Sequence, residues 1–342
     1  MVPSKHYLLP AISRILKPMT AKTELLTSKA YVDDLIKEAR AATTRIILFT
    51  HIIAYDESTE RLIDELCAAA ERGVVVEVSG DVYTFGILRG WNTLNSDIRK
   101  LRFMIKRLRE SKVKYRWIGT FGPFLFAGRT HVKWCIIDGI AYSFGGVNLY
   151  CKGIENTDYM LKIPDALLAN QLVEEHHKIT LHDRNAWLSK SRSFDCSVGT
   201  VLLDGGIAFD SIIYRRACEL AEKASEILFV SQYCPTGKLG KLMSQKKSKL
   251  YFSNYDLASG ANRLLIKTSM RKTGYDTLYK KSVYNHAKFI IFTMADGKKT
   301  ALTGSHNFVW GGVVLGTREI NLETTDKHII SQLETFFAHH IA

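Results

Sequence analysis

His131-Val-Lys133-Trp-Cys-Ile-Ile-Asp138-Gly139, continuing through Ile-Ala-Tyr-Ser-Phe to Gly145-Gly146-Val-Asn148, is an apolar run opened by a histidine and a lysine two residues apart. It breaks at Asp-Gly, a hairpin-turn signal between apolar runs, and closes on a glycine pair and an asparagine. Side chains alternate along an extended strand, so His131 and Lys133 are expected on one face, with the returning strand bringing Asn148 back beside them. Cys135, Ile136 and Ile137 are apolar at consecutive positions, the pattern of a central strand covered by helices on both sides.

The pattern occurs again 155 residues later, as His286-Ala-Lys288-Phe-Ile-Ile-Phe-Thr293, Asp296-Gly297 and Gly304-Ser305-His-Asn307. From histidine to the Asp of the turn is 7 residues in the first copy and 10 in the second; from the turn Gly to Asn is 9 and 10. The second hairpin is therefore four residues longer, an even difference expected to preserve register. Thr293, seven residues after His286, then belongs to a longer leg, and Asp138 is expected to have a turn or structural role. An acid follows each hairpin: Asp158 in Glu155-Asn-Thr-Asp158-Tyr, and Glu319 in Gly316-Thr-Arg-Glu319-Ile.

Upstream of the first hairpin, a helical stretch (Ala30 to Ala42), a strand (Arg45 to Thr50), a helix (Ser58 to Arg72, ended by Gly73) and a strand (Val74 to Val78) make a β-α-β unit, whose crossover implies parallel strands. A similar order recurs with Val201 to Leu203, a helix through Ile212, Ala217, Leu220 and Ala221, a strand Glu226 to Ser231, a short helix near Leu239 to Met243, and Lys249 to Phe252. The fold class is α/β: a diverged tandem repeat of roughly 150 residues forming two lobes, each a mixed sheet flanked by helices on both faces. The expected division is a tail over 1–20, a first lobe over 21–194 and a second over 195–342, with the polar stretch Asp183 to Ser193 as linker.

At 342 residues and 46% hydrophobic content the chain can bury a sizeable core. Its longest apolar runs are far shorter than the ~20 residues of a spanning helix. Six cysteines without Cys-x-x-Cys spacing fit a reducing, cytosolic setting. A net charge of +13 favours a polyanionic partner, nucleic acid or an anionic membrane surface, and does not choose between them. Met1 to Met19 carries Leu8, Leu9, Ile12, Ile15 and Leu16 with Lys5, Arg14 and Lys17, but Pro10 and Pro18 limit any helix there to about two turns; it reads as a loose tail or a weak interfacial anchor.

A shorter match tempers the motif. His176, Lys178 and Asp183 repeat the His-x-Lys-x4-Asp spacing, but they follow an amphipathic helix with Leu167, Leu168, Leu172 and Val173 on one stripe, and no Gly-Gly or Gly-Ser with asparagine comes after. His176 and Lys178 are expected at a solvated helix end, where positive charge suits the dipole. The informative unit is the whole hairpin.

These paired hairpins resemble the phospholipase D superfamily, whose signature is His-x-Lys-x4-Asp followed by Gly-Gly or Gly-Ser, x, Asn, present twice in two-lobed members. The resemblance covers most of residues 24–335 and departs at Thr293 and in the longer second hairpin. It implies two phospholipase D-like lobes, an active site from His131, Lys133 and Asn148 with His286, Lys288 and Asn307, and acids at Asp158 and Glu319 that orient the histidines. Gly146 and Ser305 are expected at the substrate. The resemblance makes His131 the nucleophile and His286 the acid.

The chemistry also follows from residue types. One neutral imidazole can attack phosphorus while another, protonated, donates to the leaving oxygen. The lysines and asparagines can hold charge developing on the phosphoryl oxygens, stabilisation whose loss costs ~10²–10³-fold per donor. Asp158 and Glu319 can accept from the far ring nitrogens. His51 and His306 are expected to be packing or rim residues. No metal-ligand spacing is present, and neither metal nor other cofactor is expected.

For substrate, Thr120-Phe-Gly-Pro-Phe-Leu-Phe-Ala-Gly-Arg129 precedes His131, and its Phe124 and Phe126 are expected to meet acyl chains or a partner, or else to pack between the two lobes. Phe308, Val309 and Trp310 follow Asn307. Among superfamily members the chain most resembles bacterial cardiolipin synthases and related phosphatidyltransferases. The expected partner is thus a glycerophospholipid at an anionic membrane surface, with nucleic acid second and no obligate protein partner. Without the spanning N-terminal helices of many such relatives, contact is expected to be peripheral, at the inner membrane face.

Overall fold

The computed structural model describes residues 22–85, 96–119, 129–183 and 189–342. Among these residues, fourteen strands form two seven-stranded sheets. The first contains β1 (Glu24–Thr27), β2 (Arg45–Thr50), β3 (Val75–Asp81), β4 (Lys114–Ile118), β5 (Trp134–Ile137), β6 (Ile140–Ser143) and β7 (Tyr159–Ile163), in the order β1-β7-β6-β5-β2-β3-β4. The second contains β8 (Arg192–Cys196), β9 (Gly199–Gly205), β10 (Glu226–Ser231), β11 (Lys247–Phe252), β12 (Phe289–Thr293), β13 (Lys299–Gly304) and β14 (Arg318–Thr324), in the order β11-β10-β12-β13-β14-β9-β8.

Six positions correspond between the sheets, β1-β7-β6-β5-β2-β3 matching β9-β14-β13-β12-β10-β11. The seventh strand is added at opposite edges, β4 beside β3 and β8 beside β9. The expected β-α-β crossovers give the parallel pairs β2–β3 and β10–β11, and β3–β4 is also parallel; the remaining pairs are antiparallel, so both sheets are mixed. The helices at 28–41, 60–71 and 96–110 bury their apolar stripes in an outer core of the first lobe, and those at 212–223, 237–244 and 260–273 contribute to an outer core of the second.

A third core joins the lobes. Phe49, Trp134, Ile136, Tyr159 and Leu161 of the first sheet meet Val201, Val230, Phe289, Ile291 and Leu322 of the second, with the helices at 166–181 and 327–336 packed into the same cluster. That explains why β5 and β12 are apolar on both faces: the outer core takes one and the shared core the other.

The two hairpins are built as read, with corrections. The β5–β6 turn has two residues, Asp138 taking a positive φ of 51°. Its carboxylate accepts five hydrogen bonds, from the backbone N–H and hydroxyl of both Thr43 and Thr44 and from the Arg45 N–H, fastening the entry to β2. Partial burial pushes the Asp138 pKa up, but these donors outweigh it and hold it at about 2. In the second lobe the corresponding fastening uses backbone: the Ser225 N–H and hydroxyl both donate to the carbonyl of Thr293, at 2.9 and 3.0 Å.

Register is not preserved by the even length difference. Cys135 pairs with Tyr142 and Phe289 with Thr303. Counted from these ladders, five residues separate Ser143 from Asn148 but only four separate Thr303 from Asn307. The extra residue is Phe144, a bulge at φ 59° whose freed carbonyl accepts from the Thr303 hydroxyl of the other lobe at 2.8 Å. With Trp134 counted opposite Ser143, the first hairpin has four ladder positions against five in the second; the extra pair and a five-residue turn instead of two add five residues, which the bulge reduces to a net four.

His176 is also corrected. It lies within the helix Ala166–Leu181 and is fully buried, its ring edge-on to Phe49 at 5.4 Å and near Trp134. Position 176 is four after Leu172 and three before Ile179, which places it on the stripe facing the shared core. Burial lowers its pKa to about 4. Lys178 is exposed as expected and donates to Glu175.

Candidate active site

Neither His-x-Lys segment lies in its strand. The β5 ladder begins at Trp134 and the β12 ladder at Phe289, so 131–133 and 286–288 precede the sheets and pair across to the opposite lobe. Thr130 forms an isolated parallel bridge with Arg318, and Thr157 with Asn285. The His131 N–H donates to the Arg318 carbonyl at 2.8 Å; the His286 N–H donates to the Thr157 carbonyl at 2.9 Å.

Because Glu319 follows Arg318 and Asp158 follows Thr157, the bridges exchange the acids between lobes. His131 Nδ1 lies 3.0 Å from Glu319 Oε2 and 3.1 Å from the Ser305 carbonyl. His286 Nδ1 lies 2.6 Å from Asp158 Oδ2. In both rings Nδ1–H is the donor, which leaves Nε2 for the cleft. This crossing was hidden from the sequence, which placed an acid after each hairpin without saying which histidine it serves.

Lys133 and Lys288 are buried, each Nζ donating to the carbonyl of the histidine two residues before it. Lys288 Nζ also lies 3.1 Å from His286 Nδ1. Asn148 and Asn307 line the same cleft, each with its Oδ1 buried and unpaired among the described residues. Such an oxygen costs about 1–3 kcal/mol, which a ligand donor, or rotation that turns Nδ2 to the ligand, removes.

Gly146 and Ser305 support the site from behind. A Cβ at Gly146 would meet Asp158 Oδ2 at 2.6 Å and Lys288 Nζ at 2.9 Å, so glycine allows the lobes to close. Ser305, expected to contact substrate, is fully buried; its hydroxyl donates to Glu319 at 2.5 Å and accepts from the Ile320 N–H. Neither residue lines the cleft; like Lys133, Lys288 and Asp158, they stand behind its lining. Phe124 and Phe126 lie outside the described residues.

The cleft, about 370 Å³, lies between the lobes and takes in further residues. His51, at the end of β2, is buried in its wall with its ring 4.9 Å from that of His131 and its Nδ1 3.0 Å from the Thr130 carbonyl. Arg129 lies over the Tyr83 ring at 3.5 Å and 3.6 Å from Asp81. Across the cleft, the pseudo-equivalents of His51 and Arg129 are Gln232 and Tyr284, joined at 3.0 Å; Tyr233, Asn262, Leu265, Val309 and Leu315 continue that wall. A polar residue just beyond a central strand was the available signal for His51 and Gln232. His306 also lines the cleft, its Nδ1 accepting from the Phe308 N–H at 2.8 Å.

The electrostatics are those of crowded bases. Burial and then the two lysine charges hold His131 well below the usual imidazole value. Burial and Lys288 lower His286 to about 4 against the pull of Asp158. Burial and Lys288 lower Lys133 to about 7, and burial lowers Lys288 to about 8. Burial raises Glu319. An anion entering the cleft would move all four bases back up.

Two sheets with paired His-x-Lys hairpins give a two-lobed fold whose first lobe carries a phospholipase D-like domain. Residues 33–186 match the family described as cardiolipin synthase, PLD-like domain. Among solved structures, the phosphatidylserine synthase of Haemophilus influenzae Rd KW20 matches with a TM-score of 0.68 at 14% identity, over 92% of this chain and 85% of that one. The polyphosphate kinase of Porphyromonas gingivalis matches with a TM-score of 0.60 at 14% identity, over 92% of this chain but only 46% of its own length. At such identities the likeness is one of fold. No curated protein sequence matches the chain. Among the described residues no helix is long and apolar enough to cross a membrane.

Proposed function

We propose that the protein is a cardiolipin synthase-like phosphatidyltransferase or phosphodiesterase acting on glycerophospholipids through a phosphohistidine. The observation that carries this reading is the convergence of His131 and His286 on one cleft, each ring held by the acid of the opposite lobe. His131 is the proposed nucleophile. Burial and the two lysine charges hold its ring well below the usual imidazole value, which keeps it neutral for attack, and its acid, Glu319, is shared with the Ser305 hydroxyl. His286, with the shorter carboxylate bond, is the proposed acid.

A bound phosphodiester monoanion raises the histidine pKa values and lets His286 carry a proton on Nε2. His131 Nε2 then forms a bond to phosphorus as the bond to the leaving oxygen breaks, and His286 gives that oxygen its proton. Water or an alcohol, deprotonated by His286, next displaces His131 from phosphorus. Lys133, Lys288, Asn148 and Asn307 stabilise the phosphoryl oxygens throughout.

The lipid substrate is supported by Leu265, Val309 and Leu315 in the cleft wall, which offer apolar surface to a diacylglyceryl group. Membrane contact is peripheral and the expected compartment cytoplasmic. Incubation with phosphatidylglycerol vesicles and, separately, single- and double-stranded DNA, with products identified by mass, tests this. A phosphatidyl product formed in the presence of chelator is expected; cleavage of DNA alone would replace the lipid reading with that of a nuclease, the rival suggested by the +13 charge.

A further inference from the structure

We propose that the helix Gly260–Thr273 and the short helix Trp310–Leu315 form a docking face for an anionic bilayer at the mouth of the cleft; this deepens the lipid reading above and rests on it. Of the fourteen residues of the first helix only Ile266 is buried. The helix carries Arg263, Lys267, Arg271 and Lys272 and no acidic residue. Leu264 and Leu265 are 64% and 53% exposed. Seven and eight positions after Leu264 come Arg271 and Lys272, so leucines and cations share one helix face. Arg271 and Lys272 are exposed and make no ion pair among the described residues.

The second helix faces the same opening. Trp310, Val314 and Leu315 are 41%, 37% and 44% exposed, and the exposed Phe209 lies 6.3 Å from the Trp310 ring. Leu265 and Leu315 both line the cleft, so the two groups flank one entrance. Six of the twelve exposed large hydrophobic residues among those described belong to this patch, which makes it a cluster and not scatter.

Apolar side chains interleaved with cations, without acids, suit a helix lying in the plane of an anionic interface. Nucleic acid would reward the cations and could stack a base on Trp310, but it would leave Leu264, Leu265, Val314 and Leu315 unused. A bilayer rewards both, and a lipid whose phosphodiester reaches His131 and His286 must lead its acyl chains out past this rim.

Sedimentation with vesicles of phosphatidylglycerol and phosphatidylcholine, against pure phosphatidylcholine, reads the docking without catalysis. The wild type is expected to favour the anionic vesicles, with binding weakened by salt. Leu264→Glu/Val314→Glu and, separately, Arg271→Glu/Lys272→Glu are each expected to lose about tenfold or more of vesicle binding. Turnover of short-chain phosphatidylglycerol below its micellar concentration should stay within about twofold of wild type, since these side chains lie outside the cleft wall. Wild-type binding to vesicles by both variants, or no preference of the wild type for anionic vesicles, would overturn the docking face. Failure to turn over the short-chain lipid, with variant-sensitive vesicle binding intact, would leave the face standing and remove the head-group reading instead.

Discussion

The two lobes share a plan and differ in how they carry it out. Each presents a histidine, a lysine and an asparagine from one hairpin, and each lends an acid to the other lobe's histidine. In the first lobe Gly146 lies behind a short acid, Asp158; in the second Ser305 lies behind a longer one, Glu319, and donates to it. The first lobe lines its half of the cleft with His51, Tyr83 and Arg129, the last paired with Asp81 behind it, whereas the second uses Gln232, Tyr284 and apolar side chains. The duplicated residues sit where the lobes support one another, and the divergent ones sit where a substrate with two unlike ends would touch them. The difference teaches that the reacting centre belongs to the interface, while each wall belongs to its lobe.

The comparison breaks most severely at the histidines. His131→Ala and His286→Ala are each expected to lose about 10³-fold or more in turnover with the fold retained by circular dichroism. Undiminished turnover in either would end the two-histidine account.

Exchanging the acids is the next largest effect. Asp158→Asn and Glu319→Gln are expected to lose about 10²–10⁴-fold in kcat, as when an acid that orients a catalytic histidine is replaced by its amide. The Glu319 variant should lose less, because the Ser305 carbonyl still accepts from His131 Nδ1. Equal losses would mean that the lobes brace their histidines equivalently.

The lysines predict the pH profile. With Lys133 lowered to about 7 and Lys288 to about 8, their positive charge is present below those values and is lost as pH rises through them. In the free enzyme kcat/KM, already declining above the His286 value of about 4, should therefore fall more steeply across pH 7–8, while a bound phosphodiester, raising these pKa values, should carry kcat to higher pH. A kcat/KM that stays level to pH 10 would contradict this.

The smallest effect concerns the hairpin turns. Asp138→Ala leaves five donors without their acceptor and is expected to cost about 1–3 kcal/mol of stability, read as a lower Tm, with activity of the folded protein unchanged. Thr293→Asp should change stability within about 0.5 kcal/mol, since the Thr293 carbonyl already fastens Ser225.

Local patterns were legible in sequence and crossings were not. The apolar runs, Asp-Gly turns and β-α-β order are properties of neighbouring residues, and they gave the lobes and hairpins. The bonds of His131 to Glu319 and His286 to Asp158 join residues 188 and 128 positions apart, and nothing local specifies them. The Phe144 bulge escaped because an aromatic residue at positive φ has no sequence signature. His176 was misread although its spacing from Leu172 and Ile179 placed it on the buried stripe; a polar residue type outweighed its position.

The two-histidine site is tested most directly by where the phosphoryl group is carried. Intact-mass and peptide mass spectrometry of His286→Ala and His131→Ala, quenched after mixing with phosphatidylglycerol, measures it. A phosphatidyl adduct on His131 in the His286 variant, and no adduct in the His131 variant, is predicted. An adduct on His286 in the His131 variant, with none on His131, would contradict the assignment.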